Sequence, residues 1–241
     1  AMIGVLIGVA VGSLFGYRGQ KILVEGDTFV NSLISFDSFT PGTNYNPDWL
    51  EPYTVTLNKF DVEYDRQQGS HTYGDDLDYT ADLSFQETDG TTDQATLKVN
   101  DPVNVNGTNL YLSGNGYAPI IKVENSDGSV AYEGPVVGLT SDGKYTSSIV
   151  LKVPDAKNGQ LGFVGMFLPT GERDATTNIP RSIDSEALNP MLVLQSYTGD
   201  LGLDSGRPQN VYVLDTNTLK PLNTMATGNG IVLDAANNTV D

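Results

Sequence analysis

There is no cysteine anywhere in the 241 residues. That excludes disulfides, thiolate metal sites, a cysteine nucleophile and thiol-ligated haem. Histidine is almost as scarce: His71 is the only one, so a site built from several imidazoles is impossible and a Ser-His-Asp triad would have to use this residue. It lies in the polar run Arg66 to Asp78, which also holds Gly69 and Gly74, and the run reads as a loop. A solvated loop histidine is the expectation, with an axial haem ligand as the competing functional reading. Positive charge is also short. Thirteen Lys and Arg face thirty Asp and Glu, for a net charge of −17, which repels phosphate backbones and anionic headgroups and argues against a nucleic-acid partner.

What the chain does have is an uncharged start. Met2 to Phe15 carries no charge and a single hydroxyl, Ser13. Residues 1–16 read as the C-terminal part of a transmembrane helix, covering roughly 20 Å of a ~30 Å hydrocarbon core at ~1.5 Å per residue. Gly4, Gly8, Gly12 and Gly16 fall on one stripe of such a helix, a face where another helix can approach closely. A signal peptide competes with this reading, but no basic residues precede the run and no small-x-small cleavage site stands before Tyr17. An ordinary core helix is disfavoured by the glycines. Arg18 and Lys21 follow the run without fixing its orientation.

Residues 17–241 are rich in Gly, Tyr, Thr, Val and Asn, which favours strands and turns. Proline at 41, 47 and 52 precludes regular structure in that segment, and Trp49 within it is expected to cap the core. Period-two alternation begins at Tyr53, Val55 and Leu57 and resumes in shifted phase at Phe60, Val62 and Tyr64, which predicts a bulge near Asn58-Lys59. Tyr79 to Phe85 and Ala95 to Val99 predict a hairpin across Asp89-Gly90, and Asp127-Gly128 predicts a type I′ turn joining Ile120–Val123 to Val130–Tyr132. Leu161 to Leu168 is apolar on both faces and reads as a central strand. Glu172 to Glu186 reads as an exposed connection, with further strands at Met191–Tyr197, Val211–Leu214 and Ile231–Leu233. The expected fold is mainly β: an antiparallel sandwich or open barrel-like sheets of about ten or more strands, with any subdivision near 134–143.

Two loops are candidate sites. Gly114-Asn115-Gly116 before Tyr117 reads as a tight turn needing positive φ rather than a ligand loop. Gly199 to Gly206 carries Asp200 and Asp204 around Gly202; the two carboxylates are oxygen donors of the kind calcium takes, but the spacing is not that of an EF-hand and an ordered turn is expected.

The chain resembles the ResB-like family. The resemblance is carried by Gly16-Tyr17-Arg18-Gly19 with Val24-Glu25-Gly26 and Phe29, Leu57 to Phe60, Gly114 to Pro119, and Val153-Pro154-Asp155-Ala156 before Gln160-Leu161-Gly162. It continues through Phe167 to Thr170, Asn189-Pro190, Tyr197 to Asp204, Gly206, Pro208-Gln209, Val211-Tyr212 and Leu214-Asp215. Family members, of which this chain is most similar to the actinobacterial branch, are membrane proteins of the System II cytochrome c biogenesis pathway. The resemblance implies a large extracytoplasmic domain on a bacterial cell membrane. It implies a ResC-type partner that handles haem and apocytochrome c as client, with no cofactor held by this fragment and no catalytic residue in it. Such a domain would serve as a platform, binding an unfolded client by strand addition. Two other classes stand beside this one. They are a cell-surface glycan-binding or glycan-cleaving β-sandwich, for which Tyr45, Trp49 and Tyr53 would line a groove, and a purely structural module.

Overall fold

The computed structural model describes residues 13–203, 210–222 and the backbone of 231–233. It is mainly β, built from several antiparallel sheets with no closed barrel. Among the described residues no helix is long and apolar enough to cross a membrane. Gly4, Gly8 and Gly12 lie outside the described residues; residues 13–15 are helical and Gly16 already leads into the first strand. The chain divides into two compact units, 1–62 with 78–113, and 63–77 with 114–241, so 134–143 falls inside the second.

The first unit holds β1 (Tyr17–Gln20), β2 (Thr28–Val30), β3 (Ser38–Pro41), most of β4 (Tyr53–Tyr64) and β5 (Asp76–Glu87), β6 (Thr92–Lys98), β7 (Val103–Val105) and β8 (Thr108–Leu110). Its main sheet runs in the order β2-β4-β5-β6, with β1-β3 and β7-β8 as separate pairs. Odd-numbered side chains enter the core: Phe29, Tyr53, Val55, Leu57, Ala81, Leu83, Phe85 and Leu97, joined by Val105. On the transfer scale each of the valines, leucines and phenylalanines among them contributes roughly 1.5–3 kcal/mol. Along β4 the burial changes phase at Asn58 and Lys59, both exposed, after which Phe60, Val62 and Tyr64 are the half-buried positions, as the sequence pattern predicts. The β5–β6 hairpin across Asp89-Gly90 also forms as predicted, with Ala81 opposite Leu97 and Leu83 opposite Ala95.

The second unit contains β9 (Ile120–Glu124), β10 (Val130–Pro135), β11 (Leu139–Thr140), β12 (Ser147–Val153), β13 (Leu161–Leu168), β14 (Gly171–Arg173), β15 (Pro180–Ser182), β16 (Met191–Thr198), β17 (Lys220–Pro221) and β18 (Ile231–Leu233). Its sheet runs β11-β12-β13-β16-β17, and β18 also pairs with β16. β13 is central, as its two-sided apolar sequence requires, and one side of the sheet packs Ile149, Leu151, Val153, Phe167, Leu192 and Leu194 against Ile121 and Val136.

Four expectations are corrected. The β9–β10 loop is no type I′ turn: Gly128 alone has positive φ, and Asn125 pairs with Ser129 around a three-residue loop, because Asp127 caps Ser129 from the ordinary side of φ space. Gly114-Asn115-Gly116 is not a turn either. Neither glycine has positive φ, and the segment carries no turn before the Tyr117 and Pro119 carbonyls accept from the Gly138 and Val136 N–H groups. The stretch 172–186 is not merely an exposed connection, since it forms the β14–β15 hairpin and ends in buried Asp184 and Ser185. Val211–Leu214 forms no strand; β17 takes the place beside β16 instead.

Candidate functional site

Two places combine polar chemistry with defined geometry. The first is the excursion Glu63–Leu77, which leaves the end of β4 and returns into β5 while packing in the second unit. Its ends are zipped by main-chain bonds exchanged by Asp65 with Gly74 and Asp75. Inside the loop the buried Asp65 carboxylate accepts from the Ser70 and Thr72 hydroxyls and from the Gln67 N–H. Those bonds, the Ser70 hydroxyl foremost, hold its pKa below the usual carboxylate value.

Arg66, next along, forks onto Asp184, 118 residues away. Nη1 donates to Oδ2 at 2.7 Å and Nη2 to Oδ1 at 2.9 Å, and Nη2 also donates to Glu186. The guanidinium lies 5.5 Å and 5.6 Å from the ring centroids of Tyr64 and Tyr73. A planar fork stacked by aromatics is the arrangement that arginine alone provides. Lys144 Nζ meets Asp75 at 2.6 Å, the Ser185 N–H donates to the Gly74 carbonyl, and the Tyr117 hydroxyl donates to the Ser185 carbonyl at 2.7 Å while meeting the Tyr64 hydroxyl at 2.9 Å. Burial pushes the Tyr117 phenol well above its ordinary pKa.

Chemically this network is a clamp. His71 is exposed on the turn, flanked by the hydroxyls that serve Asp65. Arg66 pulls the Asp184 carboxyl below its ordinary pKa against the opposing effect of burial. A depressed folded pKa gives stability that is present above the unfolded value, about 4, and is lost as pH falls through the folded one. The urea midpoint of the second unit is therefore expected to hold down to about pH 5 and to drop below about pH 4. Asp184→Asn should lower the plateau and flatten that drop; an unchanged slope in the variant would refute the assignment.

The second place is the outer face of the sheet β2-β4-β5-β6. Even-numbered side chains here carry hydroxyls and carboxamides: Thr28, Thr54, Thr56, Ser84, Gln86, Thr92 and Gln94, together with Phe85 and Asp93, line a shallow, open cleft of about 730 Å³. The Thr28 and Thr56 hydroxyls meet at 2.8 Å, Asn58 donates to Ser84 at 2.7 Å, and Thr96 donates to Asp82 at 2.6 Å. Beside the cleft β6 is an edge strand. The Gln94 N–H donates to the Asp93 carboxylate at 2.8 Å, so it faces away from β5. An edge with outward main-chain groups is a template for another extended chain.

The remaining sequence candidates are dispersed. Asp200 Oδ1 accepts from the Gly202 N–H at 2.8 Å and so closes its own turn, while Asp204 lies outside the described residues. Among the described residues no three acidic or imidazole groups converge as a metal site would need. Tyr117 is a hinge of the polar clamp rather than part of a turn. Tyr53 is only 2% exposed, its phenol pushed up to about 12 by burial, so it lines no groove; Trp49, 52% exposed, does not cap the core. Sequence reasoning missed Arg66 and Asp184. The one available signal was an arginine set among Tyr64 and Tyr73 in an otherwise acidic run.

A family model described as the ResB-like family matches residues 1–237. Cytochrome c biogenesis protein Ccs1 of Thalassiosira pseudonana is 29% identical over 113 residues, 46% of this chain and 24% of its own length. Cytochrome c biogenesis protein CcsB of Microcystis aeruginosa is 28% identical over 129 residues, 52% of this chain and 26% of its own. The chain thus aligns with about a quarter of the length of these curated relatives. No solved structure matches it.

Proposed function

Because the chain belongs to the ResB-like family, we propose that it serves cytochrome c biogenesis as a non-catalytic docking domain. In this reading residues 1–16 tether it to a bacterial cell membrane and the β units stand on the extracytoplasmic side. The client is apocytochrome c, presented for haem attachment beside a ResC-type membrane partner that handles the haem. The names of the relatives support the pathway.

The observation that carries the docking role is the β6 edge beside its polar cleft. A client that must be held before it folds offers main chain above all, and strand addition recognises main chain without demanding a sequence. The hydroxyls and carboxamides that dominate the cleft suit many side chains, and its one carboxylate, Asp93, and the net charge of −17 favour basic clients.

The test is equilibrium binding of a fluorophore-labelled, haem-free cytochrome c to the purified full chain. Gln94→Pro deletes one outward N–H, which a client carbonyl takes over from the Asp93 carboxylate, while sparing the ladder to β5, and it should weaken binding by up to about fivefold, the worth of one main-chain hydrogen bond. Gln94→Ala, which keeps the N–H, should bind as the parent does. Equal affinity for the proline variant would remove the β6 edge as the docking strand.

A further inference from the structure

We propose that Leu14, Phe15, Trp49 and the Leu33–Ile34 turn of the first unit form a collar that sits in the headgroup layer of the bilayer. The inference rests on the membrane tether of the proposed function and extends it to a surface of the folded unit.

Residues 13–15 are not loosely attached. The Leu14 carbonyl accepts from the Asn44 N–H at 2.8 Å and the Gly16 carbonyl from the Gly42 N–H at 2.8 Å, which fastens this stretch along the segment leading to Trp49. The Phe15 and Trp49 rings stand 6.2 Å apart, and Trp49 meets Tyr45 edge-on at 6.4 Å. Behind them Tyr45 contacts Tyr17 and Phe39, and Phe36 contacts Tyr17, Phe39 and Phe29, so the collar is backed by a continuous aromatic wall that reaches the core.

The Leu33–Ile34 turn belongs to the same end of the unit. Asn31, which opens it, donates its side-chain N–H to the carbonyl of Glu51, two residues beyond Trp49. Ile34 is 96% exposed, and Leu14, Phe15, Leu33 and Trp49 are each between a third and just over half exposed. Single exposed apolar residues are ordinary; five carried on segments that these bonds and ring contacts tie to one another call for something to cover them.

The sequence says what covers them. Residues 1–12, AMIGVLIGVAVG, hold no charged or hydrogen-bonding side chain, and they join the patch covalently at Ser13. Any surface that accepts that run lies within a few residues of Phe15. Tryptophan, tyrosine and phenylalanine beside such a run are the residues that settle at the boundary of lipid and water. Arg18 and Lys21, exposed just after Phe15, are balanced by Asp48 and Glu51 on either side of Trp49, so with no excess of cations the collar suits zwitterionic rather than anionic lipid.

Trp49 is the only tryptophan, so its emission reports this one position without any engineering. The full chain is reconstituted in phosphatidylcholine vesicles, brominated either near the glycerol or near the chain ends, and floated on a density gradient. The expected result is flotation, a blue-shifted Trp49 emission that loses most of its intensity to the shallow bromines, and protection from iodide. A second reporter uses the absence of cysteine: a nitroxide on Ile34→Cys labels one site only, and its accessibility should match the depth found for Trp49. If the chain floats while Trp49 is quenched by iodide and not by bromine, the collar is overturned and the tether stands. If it floats while Trp49 is shielded from both, a protein surface covers the patch and the collar is again overturned. A chain that does not float overturns the tether and the collar together.

Discussion

Gly165→Ala is expected to abolish the cooperative unfolding transition of the second unit, or to lower its stability by about 3 kcal/mol or more, at the upper end of overpacking costs. Gly165 lies midway along β13, facing Ile149 of β12 and Leu194 of β16. A Cβ there would fall 1.9 Å from the Val193 carbonyl oxygen and 2.9 Å from the Leu194 Cα. The obstacle is backbone, so no rotamer relieves it. β13 cannot slide away, because it is hydrogen-bonded along both edges. Nor can β16 retreat without opening a strand whose Leu168-facing neighbours Met191 and Val193 form a second buried cluster. Near-ultraviolet circular dichroism and urea unfolding give the readout, with Gly143→Ala as control, since a methyl there meets nothing within 4 Å. A Gly165→Ala protein as stable as its parent would show that β13 and β16 are not paired in this register.

Replacing Arg66 with Leu should cost the second unit about 3 kcal/mol, the lower end of the range for breaking a buried pair. The lower end applies because Arg66 itself is a third exposed. Its partner is what makes the loss large: the Asp184 side chain is only 11% exposed, so the substitution strands an ionised carboxylate away from water. The stacking on Tyr64 and Tyr73 goes at the same time. Removing both charges together, as Arg66→Leu with Asp184→Leu, should restore part of the stability, because the one carboxylate then left without its arginine, Glu186, is 40% exposed and stays hydrated. A double-mutant cycle measures the difference. Additivity of the two single losses would mean that the fork contributes nothing specific.

Much of the architecture was legible because strands announce themselves locally. Tyr53, Val55 and Leu57 alternate, Asn58 and Lys59 break the phase, and both events survive in β4. Leu161 to Leu168 reads as doubly buried and becomes the centre of its sheet. What stayed hidden depended on partners far along the chain. Asp184 and Ser185 look like surface residues by composition, and only the arrival of Arg66 and Gly74 makes their burial affordable. Tyr117 follows two glycines that suggest a bend, whereas its carbonyl is held by the Gly138 N–H and its hydroxyl by Tyr64 and Ser185. Val211–Leu214 has the apolar content of a strand, yet Lys220 and Pro221 occupy the edge of β16 next to Tyr197 and Thr198. Local pattern proposes strands, and competition for a finite number of edges decides which of them form.

The excursion from β4 into β5 also bears on inheritance. Because Glu63–Leu77 is threaded out of the first unit and folded into the second, neither unit corresponds to an uninterrupted reading frame. A gene fragment ending at Ser113 would carry off the arginine that Asp184 needs, and one starting at Gly114 would lack it. A single cut between Ser113 and Gly114 therefore does not release the second unit whole, since residues 63–77 stay on the other side of it.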